Sequence, residues 1–395
     1  MQLFANKFAV FAKTFVYHMK KQIWILILIL AVIVVGVLIY SSQKPTQPSE
    51  KEVIKIGFIG ALSGDVAAYG QTQLNSINLA VEEINQNRKQ KIEVVAEDGK
   101  CSGKDAATAV QKLVDIDNVK IILGFTCSSE LLSTVSITEP KKVIVFSSFS
   151  SNPQISDAGE YVFRNCPTDF DWAPYAAEIM YGDGFRKLAI LSENTEFAVG
   201  AKNIIKNGFT EEEGSVVADE LYEQNSKDYR TQITKIKAAN PEVIFLLPNS
   251  AISAGLAAKQ IREMGLTVPI YSTYFWTGKE AMDAAGKASE GIYFFDVPVL
   301  NKDNIKTTDF LSKYNSKYGA PAHDFLAALS YDTAQITEGG LKKCKEDINC
   351  LRDYLYSLKN YNGTAGIYSF NEKGDEVGIS FVKKQIINGK PEIVE

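Results

Sequence analysis

Hydroxyl groups and cysteines gather at a few places where this chain could hold a small anion. In GFTCSSELL, Ser128 and Ser129 follow Cys127 and open a predicted helix. A serine there offers a hydroxyl and a backbone N–H to an anion, and the helix dipole favours the negative charge. The plainer reading is that the two serines only cap the helix. In SSFSSNP, Ser147, Ser148, Ser150 and Ser151 surround Phe149, just ahead of Asn152 and Pro153. Tyr69 closes an earlier loop, ALSGDVAAYG, with a ring able to cover a ligand. Each signal is weak alone, but each follows a predicted strand, so the three loops would converge at one sheet edge.

Other chemistries lack their residues. There are two histidines. His18 precedes an apolar run, and His323 precedes a predicted helix, where exposure or capping is expected of it. GxSxG, HExxH, CxxC and a phosphate loop ending in GKS or GKT are absent, and Gly57, Gly60 and Gly64 miss the dinucleotide spacing. No enzyme activity, metal or cofactor is therefore expected. The five cysteines read as disulfides plus one leftover. Cys101 and Cys127 each sit just past a strand, so neighbouring parallel strands would bring them together. Cys344 and Cys350, in CKEDINC, can close a small local loop, and Cys166 is expected to be buried as a small hydrophobe.

Alternating strands and helices must position these loops. Unbroken apolar runs at 53–60, 119–123, 142–146, 187–191 (KLAIL) and 243–247 (VIFLL) read as buried strands. Helical spacing predicts helices over 71–87, 104–115, 170–181, 196–207, 229–239, 253–264, 307–318, 325–341 and 352–358. Further strands are expected at 91–96, 216–222, 268–271 and 291–295, and a hairpin over 364–387 around NEKGDE. The pattern runs twice, which predicts an α/β protein of two lobes, each a mostly parallel sheet flanked by helices. Strands near 163–168, 296–298 and 361–365 would join the lobes and let them open and shut.

Ahead of this, residues 23–40 (IWILILILAVIVVGVLIY) are apolar without interruption. That length nearly spans a hydrocarbon core of roughly 30 Å, and it exceeds the roughly 7–15 apolar residues of a cleaved signal. An uncleaved transmembrane anchor is expected, with a cleaved signal or a buried core helix as alternatives. Lys20 and Lys21 put the N-terminus inside. Residues 1–22 are then a short cytoplasmic segment, in which Phe4, Phe8, Phe11 and Phe15 share one helical face; equally, translation could start at Met19. Residues 41–52 are a polar linker. Residues 51–395 hold 37 basic and 46 acidic residues, and with no basic stripe a nucleic-acid partner is not expected.

In combination, IKIGFIGALSGDVAAYG, the cysteines of EDGKCSGKDAATAVQKLV and ILGFTCSS, FSSFSSNPQIS, VFRNCPTD, KLAILSENTEFAVGAK, AKQIREMGL and YSFNEKGDEVG resemble the branched-chain amino-acid-binding proteins of ABC importers. The likeness spans roughly residues 53–390 and implies the type I periplasmic binding fold. Residues 53–167 with 298–362 would form the first lobe, and 168–297 with 363–395 the second. It implies Ser128 as the carboxylate holder, Phe149, Ser150 and Ser151 at the ligand head group, Tyr69 packed on the ligand, and Phe197 closing from the other lobe. Where that family places a carboxylate for the ligand ammonium, this chain has Tyr274. Either Asp296, Glu193 or Glu196 substitutes, or the ligand lacks an ammonium, because a buried unpaired ammonium is costly. Implied are a small-molecule ligand (an amino acid or related carboxylate), an ABC permease as partner, and a single-pass membrane location with the binding domain outside. A ligand-sensing ectodomain for an amide or small organic acid is the alternative.

Overall fold

The computed structural model describes residues 53–394 and, ahead of them, residues 19, 21, 24, 28–35 and 37. The chain divides into two units, Met1–Val53 and Ile54–Glu395. The described residues before 53 are helical, and among the described residues no helix is long and apolar enough to cross a membrane. Much of the expected anchor at 23–40 lies outside the described residues, as do Phe4, Phe8, Phe11 and Phe15.

The second unit holds two large sheets. The first joins β1 (Ile54–Gly60), β2 (Ile92–Asp98), β3 (Ile121–Gly124), β4 (Ile144–Ser147) and β5 (Val162–Arg164) in the order β2-β1-β3-β4-β5, all parallel. Adjacent residues of each strand feed opposite cores. Phe58, Leu123 and Phe146 point into one apolar cluster, and Ile59, Ile122 and Val145 into another. Such strands lose the polar alternation of a half-exposed sheet and read as continuous apolar runs. Helices α1 (Ala67–Asn87), α2 (Gly103–Asp115) and α3 (Ser128–Thr138) provide the crossovers.

The second sheet holds β6 (Lys187–Glu193), β7 (Ser215–Tyr222), β8 (Val243–Leu247), β9 (Ile270–Thr273) and β10 (Tyr293–Asp296) as parallel strands. Its helices are α4 (Asp169–Gly182), α5 (Glu196–Glu211), α6 (Arg230–Ala238), α7 (Ala251–Glu263) and α8 (Lys279–Ala285). The chain then returns to the first sheet with α9 (Ile305–Tyr318), α10 (Asp324–Cys344) and α11 (Ile348–Tyr356), whose apolar faces share the core of Phe58 and Phe146. The α/β class and the double pattern hold.

Three expectations change. The hairpin around NEKGDE pairs β12 (Ile367–Phe370) with β13 (Glu376–Val377), in a small sheet with β11 (Tyr361–Asn362). That sheet packs on the first lobe, with the Phe370 ring 5.7 Å from Phe146 and the Gly374 carbonyl accepting from Arg164 N at 3.0 Å. Residues 363–377, expected in the second lobe, therefore lie against the first, and the last crossing falls at 378–381 rather than 361–365. Next, β14 (Val382–Ile387) runs antiparallel beside β10 and turns into β15 (Lys390–Ile393), a second hairpin unforeseen in the sequence. Finally, Cys101 and Cys127 are bridged, Cα to Cα 5.2 Å, but their strands are not neighbours. Strand β1 lies between β2 and β3, so the bridge spans the loop end of the central strand.

Cys344 and Cys350 are bridged as well, and Cys166 is free and buried. The two loops differ in length, with sequence separations of 26 and 6. In the chain-entropy account the longer closure stabilises by about 3–4 kcal/mol and the shorter by roughly 2. Replacing Cys101 and Cys127 together by serine should lower the denaturant midpoint more than replacing Cys344 and Cys350. Equal losses in urea titrations would contradict this.

Candidate functional site

The loops after β1, β3 and β4 converge at the carboxyl edge of the first sheet, and two glycines let them come close. A Cβ on Gly124 (φ +108°) would lie 2.4 Å from the Ile59 carbonyl, and one on Gly70 would lie 1.9 Å from the Ala61 carbonyl. The chain can therefore press loop against helix only with glycine there. Buried Gln73 of α1 ties the loops together. Its amide donates to the Gly124 carbonyl (3.2 Å) and Ser148 Oγ (2.9 Å), and its carbonyl accepts from Thr126 Oγ1 (2.6 Å). Nothing in the sequence reading pointed to Gln73. Its one signal is a polar residue close to the apolar face of a helix.

Beneath the bridge sits Glu130, fully buried. One carboxylate oxygen accepts from Cys101 N and the other from Cys127 N, both at 2.9 Å. Its N–H and that of the next residue bond back to the Cys127 carbonyl, so α3 starts at a fixed place. Ser128 follows at its first turn, 2 % exposed, with Oγ accepting from Asn152 N at 3.2 Å. That leaves the Ser128 hydroxyl proton to donate.

The serines after β4 divide. Ser147 Oγ accepts from Phe149 N and Ser150 N, and Ser150 Oγ donates to the Phe125 carbonyl at 2.9 Å. Ser150, expected at a ligand, therefore spends its hydroxyl on the loop itself. Ser151 Oγ is buried beside the Asp169 carboxylate and the Tyr274 hydroxyl. Arg164, another residue passed over in the sequence, supports this loop. Its guanidinium donates to the Asn152 carbonyl (2.8 Å) and Ser156 Oγ (2.7 Å) and pairs with Asp375 at 2.6 Å. A charge inside an otherwise apolar strand was the available clue.

Tyr69 and Phe149 rise from this face and meet aromatics from the second sheet's loops. Tyr69 stacks on Phe149 (centroids 5.5 Å) and meets Phe275 edge-on at 5.6 Å. Tyr274 lies 5.4 Å from Phe149 and 6.0 Å from Phe197. Polar contacts cross the cleft as well. Asn152 Nδ2 donates to the Glu196 carbonyl at 2.5 Å, Asn249 Nδ2 approaches Cys101 Sγ at 3.2 Å, and Lys227 pairs with Asp65. Tyr69, Ser128, Phe149, Phe197 and Tyr274 thus line one space. Ser151 and Asp296 line another, on the hinge side of Phe149 and Tyr274.

Each acid considered for a ligand ammonium is engaged or turned away. Asp296, 1 % exposed, is held by Lys384 Nζ at 2.7 Å, the His323 ring at 3.3 Å and Thr277 Oγ1 at 2.8 Å. Burial works to raise its pKa, but His323 and Lys384 outweigh that and hold it below the usual carboxylate range. Glu193 accepts from Asn249 N (3.0 Å) and Ser253 Oγ (2.9 Å), with its pKa raised by burial. Glu196 is exposed. His323 also caps α10, its Nδ1 accepting from Leu326 N.

Comparison with known proteins agrees with this layout. Residues 53–378 match the family model of periplasmic binding proteins. The chain belongs to that family. The Leu/Ile/Val-binding protein of Escherichia coli (strain K12) is similar, 24% identical over 336 residues, covering 84% of this chain and 90% of that protein. The branched-chain amino acid transporter substrate binding protein of Streptococcus pneumoniae, solved with isoleucine, superposes with TM-score 0.77 at 25% identity, covering 87% of this chain and 99% of that one. A Rhodopseudomonas palustris solute binding protein (R. palustris), solved with benzoate, shares the fold at TM-score 0.77 and 19% identity, covering 87% and 95%. The fold is thus the type I periplasmic binding fold.

Several acids of this binding protein are buried without a cation. Burial pushes Glu130 to about 7, Asp169 and Asp332 to about 6, and Glu376 to about 8. A carboxyl whose pKa is raised by folding binds its proton more tightly in the native state. Its stabilisation is complete below the unfolded value, near 4, and is lost as pH rises through 6 to 8. The thermal midpoint of the full chain should therefore be higher at pH 5 than at pH 8, and Glu130→Gln should flatten part of that slope. A midpoint climbing steadily from pH 5 to 8 would refute it.

Proposed function

We propose that the protein is the solute-binding component of an ABC-type importer, tethered to the membrane by residues 23–40, with its binding domain on the extracytoplasmic face. Its ligand is a small carboxylate captured between the lobes. The observation that carries this reading is Ser128, a buried hydroxyl with its proton to give, at the start of α3, lining one space with Tyr69 of its own lobe and with Phe197 and Tyr274 of the other. An anion there meets the hydroxyl and the positive end of the helix dipole.

Closure then does the rest. Loops from both lobes surround the ligand, water leaves, and each remaining hydrogen bond acts in a lower dielectric. A ligand that touches both lobes binds the closed state better than the open one and shifts the population towards it. Membership of the periplasmic binding protein family and likeness to a Leu/Ile/Val-binding protein support transport as the purpose. A permease in the same membrane would receive the solute, and the apolar run at 23–40 supports the tether.

Calorimetric titration of the full chain with amino acids, amides and short carboxylates tests the capture. At least one carboxylate should bind at micromolar or better affinity, and Ser128→Ala should weaken it about tenfold, the loss of one charge-assisted hydrogen bond. Unchanged affinity in Ser128→Ala would reduce that serine to a loop brace. The tether predicts that high salt and alkaline carbonate leave the chain in the membrane fraction, with a mature N-terminus ahead of residue 23. A mature N-terminus beyond residue 40 would rule it out.

A further inference from the structure

Asp169 is the first residue of α4, just past the first crossing between the lobes, and it is fully buried. Its N–H donates to the Ser151 carbonyl at 3.0 Å, and its Oδ1 accepts from Trp172 Nε1 at 3.0 Å. Its Oδ2 is buried without a hydrogen-bond partner among the described residues. The Ser151 and Tyr274 hydroxyls lie beside the carboxylate. Ser151, Trp172 and Tyr274 all line the hinge-side cavity, about 40 Å³ in volume, so the Asp169 carboxylate borders that space.

The fold itself leaves this charge unspent. The start of α4 is capped by the neighbours of Asp169: Asp171 Oδ2 accepts from Thr168 N at 2.6 Å, and Thr168 Oγ1 accepts from Phe170 N at 3.1 Å. Arg164, whose field reaches Asp169, is committed to Asp375 and to the Asn152 carbonyl. Burial raises the Asp169 pKa to about 6, which still leaves the group ionised at neutral pH. An ionised carboxylate shut away from water with one oxygen unmatched is costly, and a cation carrying N–H donors removes that cost. Asp296 is matched by Lys384 and His323, and Glu193 by Asn249 N and Ser253 Oγ. Of these three acids, Asp169 alone has an oxygen to spare.

We propose that Asp169 takes the ammonium of an amino acid whose carboxylate lies at Ser128. The Ser151 and Tyr274 hydroxyl oxygens are the other two acceptors, one for each ammonium N–H. This rests on the carboxylate capture proposed above and names the group that meets the ligand's other charge. The two ends of the site belong to one short segment. Ser128 Oγ accepts from Asn152 N, and the Asp169 N–H donates to the carbonyl of Ser151, the residue before it. Consecutive Cα atoms are about 3.8 Å apart, so a ligand no longer than an amino acid reaches both. A single water needs roughly 10–15 Å³, so the hinge-side cavity takes a few heavy atoms of an apolar side chain, against Trp172, Leu326 and Leu329.

Calorimetry on the full chain tests it with the standard amino acids and short carboxylates, then with the deaminated acid and the amide of the amino acid that binds tightest. That amino acid should bind about tenfold tighter, or more, than its deaminated acid. Asp169→Asn keeps an oxygen for Trp172 Nε1. It should weaken the amino acid about a hundredfold, the loss of a buried charge partner, and leave the deaminated acid within about threefold. Ser151→Ala should weaken the amino acid about tenfold in the same selective way, and it carries the test if Asp169→Asn fails to fold. If the deaminated acid binds as tightly, if the substitutions weaken both ligands alike, or if short carboxylates bind and no amino acid does, the Asp169 assignment is overturned while carboxylate capture stands. If the amide binds as tightly as the amino acid, or nothing binds, both fall.

Discussion

The side chain of Glu130 accepts one backbone N–H from each bridged cysteine, one per oxygen, in a site closed to water. A buried carboxylate is costly unless its oxygens are satisfied. Here the satisfaction is structural, since the two N–H groups belong to loops that follow different strands. Bridge and carboxylate together hold those loops on either side of the central strand. The start of α3, and with it Ser128, inherits its position from that double constraint. Gln73 and Arg164 repeat the device nearby, each spending a buried polar head on backbone carbonyls of the neighbouring loops.

Opposite this rigid face, the second lobe contributes rings more than hydrogen bonds. Tyr274 meets Phe149 at a centroid distance of 5.4 Å and Phe275 meets Tyr69 at 5.6 Å, while Phe197 packs on Tyr274 and Phe275 at 6.0 and 6.2 Å. One lobe thus supplies a fixed polar floor and the other an aromatic cover. Aromatic contacts tolerate small rotations better than directed hydrogen bonds do, so a cover of this kind can close on a ligand without re-aiming any donor. Polar contacts cross the cleft as well, Asn152 to Glu196, Asn249 to Cys101 and Lys227 to Asp65, and of these the Lys227–Asp65 pair is the one exposed to water.

At the crossings between lobes the fold places charge. Asp296 ends β10 and holds Lys384 of β14 and His323 of the returning chain, so two crossing strands and the start of α10 meet at one carboxylate. Arg164 and Asp375 make a comparable pair beside the first and third crossings. Buried pairs of this kind add little net stability over apolar packing but are destabilising to break singly, which favours one geometry over its alternatives.

Much of the architecture was legible in the residues themselves. Strand β8 is an apolar run from end to end, and α2 carries its apolar residues on one face with Ser102 as its cap. Local periodicity and loop chemistry depend on near neighbours, so they survive without the fold. The loops that converge, the bridged cysteines and the aromatic at Tyr274 were visible for that reason. What tertiary structure alone decided is who meets whom at long range. Strand β1 slipped between the two strands that carry the cysteines, and the segment around β12 packed on the first lobe. Asp296 found its cation 88 residues away and so ceased to be a candidate for a ligand's charge. None of these follows from spacing. Strand order, lobe membership and ion pairing depend on which surfaces a closed core brings together, and a one-dimensional pattern does not contain that.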